Sequence, residues 1–370
     1  MKLIWKGGFE VSEKRIFKNQ ICEVYRMSSE RTIPGSWHIR CILNNNEFDY
    51  NMVMQYCLVI KTLRSYLNDK GVRIVGLYME SDTENVLQTW MLPFHISVLK
   101  ELRIPTEQYQ PYIRRYLKEF PENLEYEKQA DLFDCELSVI LKETIKQVNV
   151  FYISEGDSTQ YSIDSIHERN TKNGEANMIE VYNLNDLPKA PQGFKYFSCI
   201  GGNKNFQCFL ETEKLSRGEF LELYNKKLDS SLRSISFSKK VQIRQDVMYA
   251  IPGFMIVSPI MHYRNLNSLP IYLFYECFLA ALFIRHYLYN IKKIKYVYIY
   301  YDEHAWKPST AHFWVLPIFE SHCEIGSIPQ IQNQSIWDYM NSFEYTHEKV
   351  RINEYVNELE MIVNNLNREV

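Results

Sequence analysis

Apolar positions along the chain follow two periods, and the same order of periods occurs twice. Over 52–67 and again over 271–289, apolar residues recur every three or four positions, which predicts two long core helices, the first closed by Gly71. Each helix is preceded by a short apolar run, 37–43 or 254–259, entered through Ile33-Pro34-Gly35 or Ile251-Pro252-Gly253. Proline and glycine there mark a turn feeding a strand. Each helix is followed by a predicted strand, 72–79 or 296–301. A polar loop then leads to a second strand, carrying Trp90-Met91-Leu92-Pro93 in one copy and Trp314-Val315-Leu316-Pro317 in the other. An amphipathic helix closes each copy. One stripe holds Phe133, Leu137, Ile140, Leu141 and Ile145; the other holds Ile352, Tyr355, Val356, Leu359, Ile362, Val363 and Leu366.

The punctuation is in step as well as the periodicity. Pro34 to Pro93 spans 59 residues and Pro252 to Pro317 spans 65, while Pro93 to Pro105 and Pro317 to Pro329 are both 12. A duplicated unit of this size predicts an α+β fold in which two halves, 1–148 and 229–370, pack as an intramolecular pseudo-dimer. The segment between them, 149–228, has a different texture. Its polar stretch 156–174 predicts an exposed loop or flap. The runs 196–200 and 206–210 flank Gly201-Gly202-Asn203-Lys204 as a hairpin, and Ser216 with Glu219 forms a capping box opening a helix through 228. The glycine pair reads as the hairpin turn, a phosphate cradle being the alternative.

Composition narrows the class. With 46% hydrophobic and 24% charged residues the chain is globular, and 42 basic against 45 acidic residues give no overall field to attract nucleic acid or an anionic membrane. The start, Met1-Lys2-Leu3-Ile4-Trp5-Lys6, lacks a secretory signal, so a cytoplasmic protein is expected. Eight cysteines without a C-x-x-C pair predict free thiols, with neither a disulfide framework nor a zinc knuckle, and no metal or cofactor is expected. The most apolar run, 271–284, is broken by Glu276 and followed by Arg285 and His286, which predicts a buried helix and not a membrane span.

Strand alternation places His312, Trp314 and Leu316 on one face, with Gln88, Trp90 and Leu92 on the matching face of the first copy. Of the paired positions Gln88 and His312, only the imidazole can attack a phosphoryl or acyl centre. His262, after the strand 254–259, either lines the same pocket or stands in a surface loop. Lys307, Ser309 and Thr310 precede the His312 strand and offer donors to an anionic group, a solvated turn being the alternative. Asp302, Glu303 and His304 have an acid–base look without metal-ligand spacing and read as a polar loop.

The run Ile251-Pro252-Gly253-Phe254-Met255-Ile256-Val257-Ser258-Pro259, followed by a core helix and Ala311-His312-Phe313-Trp314-Val315-Leu316-Pro317, resembles the histidine-triad (HIT) superfamily. The tandem arrangement is similar to its two-copy branch, which includes galactose-1-phosphate uridylyltransferase and the dinucleoside polyphosphate phosphorylases. The resemblance implies a nucleotidyl- or phosphoryl-transfer enzyme acting on a nucleotide sugar or dinucleotide through a covalent adduct at His312. It implies a small-molecule nucleotide or sugar-phosphate ligand contacted by His262, Lys307, Ser309, Thr310, Trp314, Gln88 and Trp90. The three motif positions are Thr310, His312 and Trp314 in the second copy and Val86, Gln88 and Trp90 in the first, so the flanking histidines of the family pattern are missing. The competing reading is a repurposed member that binds a nucleotide-like or small aromatic ligand without forming an adduct.

Overall fold

The computed structural model describes residues 10–19, 22–28, 31–42, 50–79, 86–106, 109–144, 148–154, 180–182, 194–200, 234–238, 240–246, 248–303, 311–323, 328–329 and 334–366. Its centre is an antiparallel ten-stranded sheet. The strands are β1 (Glu10–Lys18), β2 (Cys22–Ser28), β3 (Trp37–Ile42), β4 (Ile74–Met79), β5 (Val86–Phe94), β9 (Ser234–Ser236), β10 (Val241–Gln245), β11 (Met255–Pro259), β12 (Tyr296–Asp302) and β13 (Phe313–Ile318). They lie in the order β1-β2-β3-β5-β4-β12-β13-β11-β10-β9. Read inward from either edge, the chain order is the same: first, second, third, fifth, fourth. β4 and β12 meet in the middle, where Tyr78 is the partner of Tyr300.

The strands after each Ile-Pro-Gly turn and those carrying each Trp-x-Leu-Pro stretch stand where the periodicity predicts. The four outer strands, β1, β2, β9 and β10, do not appear in that reading. Their sequences mix charged and apolar residues, as in Glu10-Val11-Ser12-Glu13-Lys14-Arg15, and only neighbouring strands give them their state. The segment 149–228 contributes a separate three-stranded sheet, with β6 (Val148–Ser154) between β7 (Glu180–Tyr182) and β8 (Phe194–Ile200). The expected loop 156–174, the second hairpin arm 206–210 and the helix 216–228 lie outside the described residues.

One face of the large sheet is covered by α1 (Tyr50–Asp69) and α5 (Ile271–His286), flanked by α4 (Leu124–Thr144) and α7 (Tyr345–Leu366). α5 is apolar on nearly every side because it lies against β10, β11, β13 and α1. Together with the π turn Tyr287–Ile291 it is long and apolar enough to cross a bilayer by composition alone, yet most of it is buried in the protein. The opposite face carries a second apolar cluster, formed with α2 (Ile96–Glu101), α3 (Ile113–Glu119) and α6 (Gln334–Asn341).

Local devices recur at matching places. Gly35 and Gly253 have φ of +84° and +79°, and in each turn a backbone N–H donates three residues back, from Ser36 to Ile33 and from Phe254 to Ile251, at 3.1 Å. A Cβ at Gly35 would meet Leu67 of α1, and one at Gly253 would meet Leu288 and Tyr355. After Pro93 the Tyr116 hydroxyl donates to the Pro93 carbonyl and accepts from the His95 N–H. After Pro317 the Tyr339 hydroxyl donates to the Pro317 carbonyl and accepts from the Phe319 N–H. Position 293 shows a local difference. α1 stops at Gly71 (φ +80°) with Val72 N–H donating to Leu67, whereas the π turn after α5 ends with Lys293 at φ +59°.

Candidate functional site

A single line of residues crosses the large sheet. Arg15, Tyr25, His38, Trp90, Tyr78, Tyr300, Trp314, Ile256, Arg244 and Ser234 are successive register partners, one per strand. Strand alternation turns them to the face opposite α1 and α5. Two stacks hold the line together: His38 lies on Trp90 at 4.9 Å and 13°, and Tyr300 lies on Trp314 at 4.9 Å and 12°.

His312 immediately precedes β13 and is half-buried. Its ring meets Trp314 edge-on, with centroids 4.1 Å apart at 65°. Trp314 is itself fixed, because its indole hydrogen-bonds the buried Asp246 carboxylate. That carboxylate also accepts the N–H groups of Met248 at 2.7 Å and Tyr249 at 3.1 Å. Burial still pushes Asp246 up, against these bonds and the nearby Arg244 charge. On β10 and β11, Gln242 donates to the Ser258 hydroxyl at 3.3 Å and accepts from Ser234 at 3.0 Å. The loop with His262 is drawn to the same place, since Ala311 N–H donates to the Tyr263 carbonyl at 2.6 Å. His262 is half-buried, and burial lowers its pKa.

Gln88, which the sequence pairs with His312, is tied down. His38 Nε2 lies 3.1 Å from Gln88 Oε1. Burial, and secondarily the Arg40 charge, lower His38 to about 3, so it is a neutral imidazole. Trp90 is fully buried beneath it and serves packing in this structure. Lys307, Ser309 and Thr310 lie outside the described residues, as does His304.

Asp302 and Glu303 are corrected outright: both are buried at the β4–β12 seam and are not a polar loop. Arg64 of α1 donates from Nε to Glu303 at 2.9 Å and from Nη2 at 2.8 Å. Glu303 also accepts from the Tyr301 hydroxyl at 3.0 Å and from the N–H groups of Val75 at 3.2 Å and Leu266 at 3.3 Å. Next to it, Asp302 accepts from the hydroxyls of Tyr78 at 2.6 Å and Tyr109 at 3.3 Å. Burial pushes Asp302 up to about 7, against the pull of those two bonds. Lys61 sends its ammonium to the carbonyls of Leu266, Asn267 and Leu269, each at 2.6 Å. The cavity beside Asp302, lined by Tyr78, Tyr300 and Trp337 among others, measures about 10 Å³, room for about one water, so the seam is a packed lock. The sequence signal for it was available: Lys61 and Arg64 interrupt the apolar stripe of α1.

Among the described residues no group of three or more histidine, cysteine or acidic side chains is placed to hold a metal ion.

No protein-family model matches the chain, and no curated protein matches it. Among solved structures, a GalT-like protein from Arabidopsis thaliana aligns over 92% of this chain and 88% of its own, with 8% identity and a TM-score of 0.40. A uridylyltransferase mutant aligns over 88% of this chain and 90% of its own, with 8% identity and a TM-score of 0.37.

Proposed function

We propose that the chain is an internally duplicated α+β protein whose two halves pair through β4 and β12 as a pseudo-dimer. On this reading the second half transfers a nucleotidyl or phosphoryl group through His312. The mirrored strand order, the paired glycine turns and the paired Tyr116 and Tyr339 bridges support the duplication. One observation carries the catalytic reading. Of the two paired positions, Gln88 carries an amide, which cannot form a covalent adduct, while His312 carries an imidazole, half-buried at the mouth of β13. A nitrogen lone pair there attacks the phosphorus of a bound phosphoric ester or anhydride, the leaving oxygen departs with its electron pair, and an acceptor nucleophile later displaces the histidine. Trp314, pinned by Asp246 and Tyr300, walls one side of the imidazole.

The substrate class is a nucleotide or sugar phosphate, and the protein acts as a cytoplasmic enzyme. His312→Ala is expected to abolish turnover of such substrates, and Gln88→Ala to be much milder. Mass spectrometry after incubation with candidate nucleotides and nucleotide sugars should find a labelled peptide containing His312 in the wild type alone. Equal activity in wild type and His312→Ala would remove the nucleophile. A second reading, ligand binding without an adduct, is favoured by the bulk of Trp314 at the third motif position, where it crowds the imidazole edge-on. Retained ligand affinity with no labelled peptide would select it.

A further inference from the structure

The first half holds a polar constellation that neither the family pattern nor His312 accounts for. We propose that the Arg40–Gln88 row of the large sheet binds a phosphate group, free or as a monoester. Lys18, Glu23, Arg40 and Gln88 are successive register partners across β1, β2, β3 and β5, so they form one transverse row. Arg40 Nε is buried with no hydrogen-bond partner among the described residues. An unpaired guanidinium N–H out of water is costly, which makes it a donor in need of an acceptor. The rest of the side chain is 25% exposed, so solvent reaches the group.

The neighbouring carboxylate does not fill that need. Glu23 stands 4.0 Å from Arg40 Nη1, beyond hydrogen-bond distance, and is already held by Lys18 at 2.9 Å and the Tyr25 hydroxyl at 2.7 Å. Arg15 lies 3.7 Å from it as well. Three cations, Arg15, Lys18 and Arg40, thus surround one carboxylate, and the site is net positive.

Gln88 supplies the second donor, and His38 aims it. Being neutral, His38 presents one N–H, and placing it on Nε2 satisfies Gln88 Oε1. The unpaired atom is then the acceptor Nδ1, which is the less costly orphan. With its oxygen taken, Gln88 keeps an NH2 group that makes no hydrogen bond among the described residues, beside the Arg40 fork. A carboxylate has two oxygens for these donors. A phosphate offers three or four and up to two charges, which suits the arginine fork, the amide and the flanking Lys18 together.

Calorimetric titration of the full chain with inorganic phosphate, and separately with AMP, tests the site independently of His312. Saturable phosphate binding is expected in the wild type. It should weaken about tenfold in Arg40→Met, less in Arg40→Lys, and be unchanged in His312→Ala. Tighter binding of AMP than of phosphate, with the gain kept in His312→Ala and lost in Arg40→Met, assigns the site to esters; equal affinity assigns it to the free ion. Near-UV circular dichroism establishes that both Arg40 variants are folded, and Arg40→Lys, which keeps the charge, carries the test if Arg40→Met is not. No saturable binding in the wild type, the same affinity in folded Arg40 variants, or binding lost only in His312→Ala would each overturn the proposal.

Discussion

Replacing Arg64 by methionine gives the most direct measure of what holds the two ends of the sheet together. Arg64 and Glu303 have 0% and 2% of their side chains exposed, so the pair is screened very little. Breaking a buried pair from one side costs about 3–5 kcal/mol, because the surviving charge is left in a poor solvent. The two sides are not equivalent here. After Arg64→Met, Glu303 keeps the Tyr301 hydroxyl and two backbone N–H groups, which places that variant near the low end, about 3 kcal/mol. After Glu303→Leu, Arg64 retains the Val72 carbonyl at 3.5 Å, and the N–H of Val75 loses its side-chain acceptor. That variant belongs near the high end, about 5 kcal/mol. The double variant should cost less than the sum, by a coupling of about 1–3 kcal/mol. Urea unfolding at constant pH, with the slope unchanged so that the midpoint reports stability, measures all four proteins. Both single losses below about 1 kcal/mol, or strict additivity, would refute the claim that this pair is a buried lock.

Asp302, raised to about 7 in the fold, binds a proton there that the unfolded chain releases near its ordinary value of about 3.9. Its contribution is therefore full below that ordinary value and is lost as pH rises towards 7; Asp302→Asn should flatten a slope of at most about 1.4 kcal/mol per pH unit in urea midpoints taken across that window. Gly253→Ala must hold φ +79° and put a Cβ 2.7 Å from Tyr355, so it should lose about 2 kcal/mol or more, whereas Gly71→Ala, at φ +80° with open space, should lose about 1; thermal melts separate them. Tyr116→Phe and Tyr339→Phe should each cost about 1–3 kcal/mol in urea melts, and clearly unequal losses would weaken the claim of equivalent bridges. Cys22, Cys41, Cys57, Cys135, Cys277 and Cys323 are free, and thiol titration of the denatured, unreduced chain should approach eight groups.

Elements whose own residues bury one whole face were legible in the sequence. α1, α5, the Ile-Pro-Gly turns and the Trp-x-Leu-Pro strands follow period and punctuation, and they stand close to where those place them. β1 and β10 escaped because their state is set by cross-strand partners: Lys18 lies opposite Glu23, and Arg244 opposite Ile256. At the candidate site, alternation gave the shared face of Gln88 and Trp90 and the place of His312, but not depth. Nothing in the residues 88–90 says that His38 of another strand lies over Trp90 and binds Gln88, since that contact depends on β3–β5 register. Asp302 and Glu303 were misread for the same reason. An acidic pair after a strand looks solvated until the Arg64 that neutralises it is brought from 239 positions away.

The seam also limits how this chain can change over time. Tyr78 with Tyr300 and Leu77 with Tyr301 join β4 to β12 into continuous sheet, while Lys61 finds its carbonyl acceptors and Arg64 its carboxylate across that line. Separating the two ends would uncover two unpaired strand edges and leave buried charges without acceptors, an open invitation to aggregate. The two ends can therefore diverge in heredity only as a couple: the outer strands and the rows through Gln88 and His312 are free to specialise separately, but neither end can be shed, swapped or inherited alone.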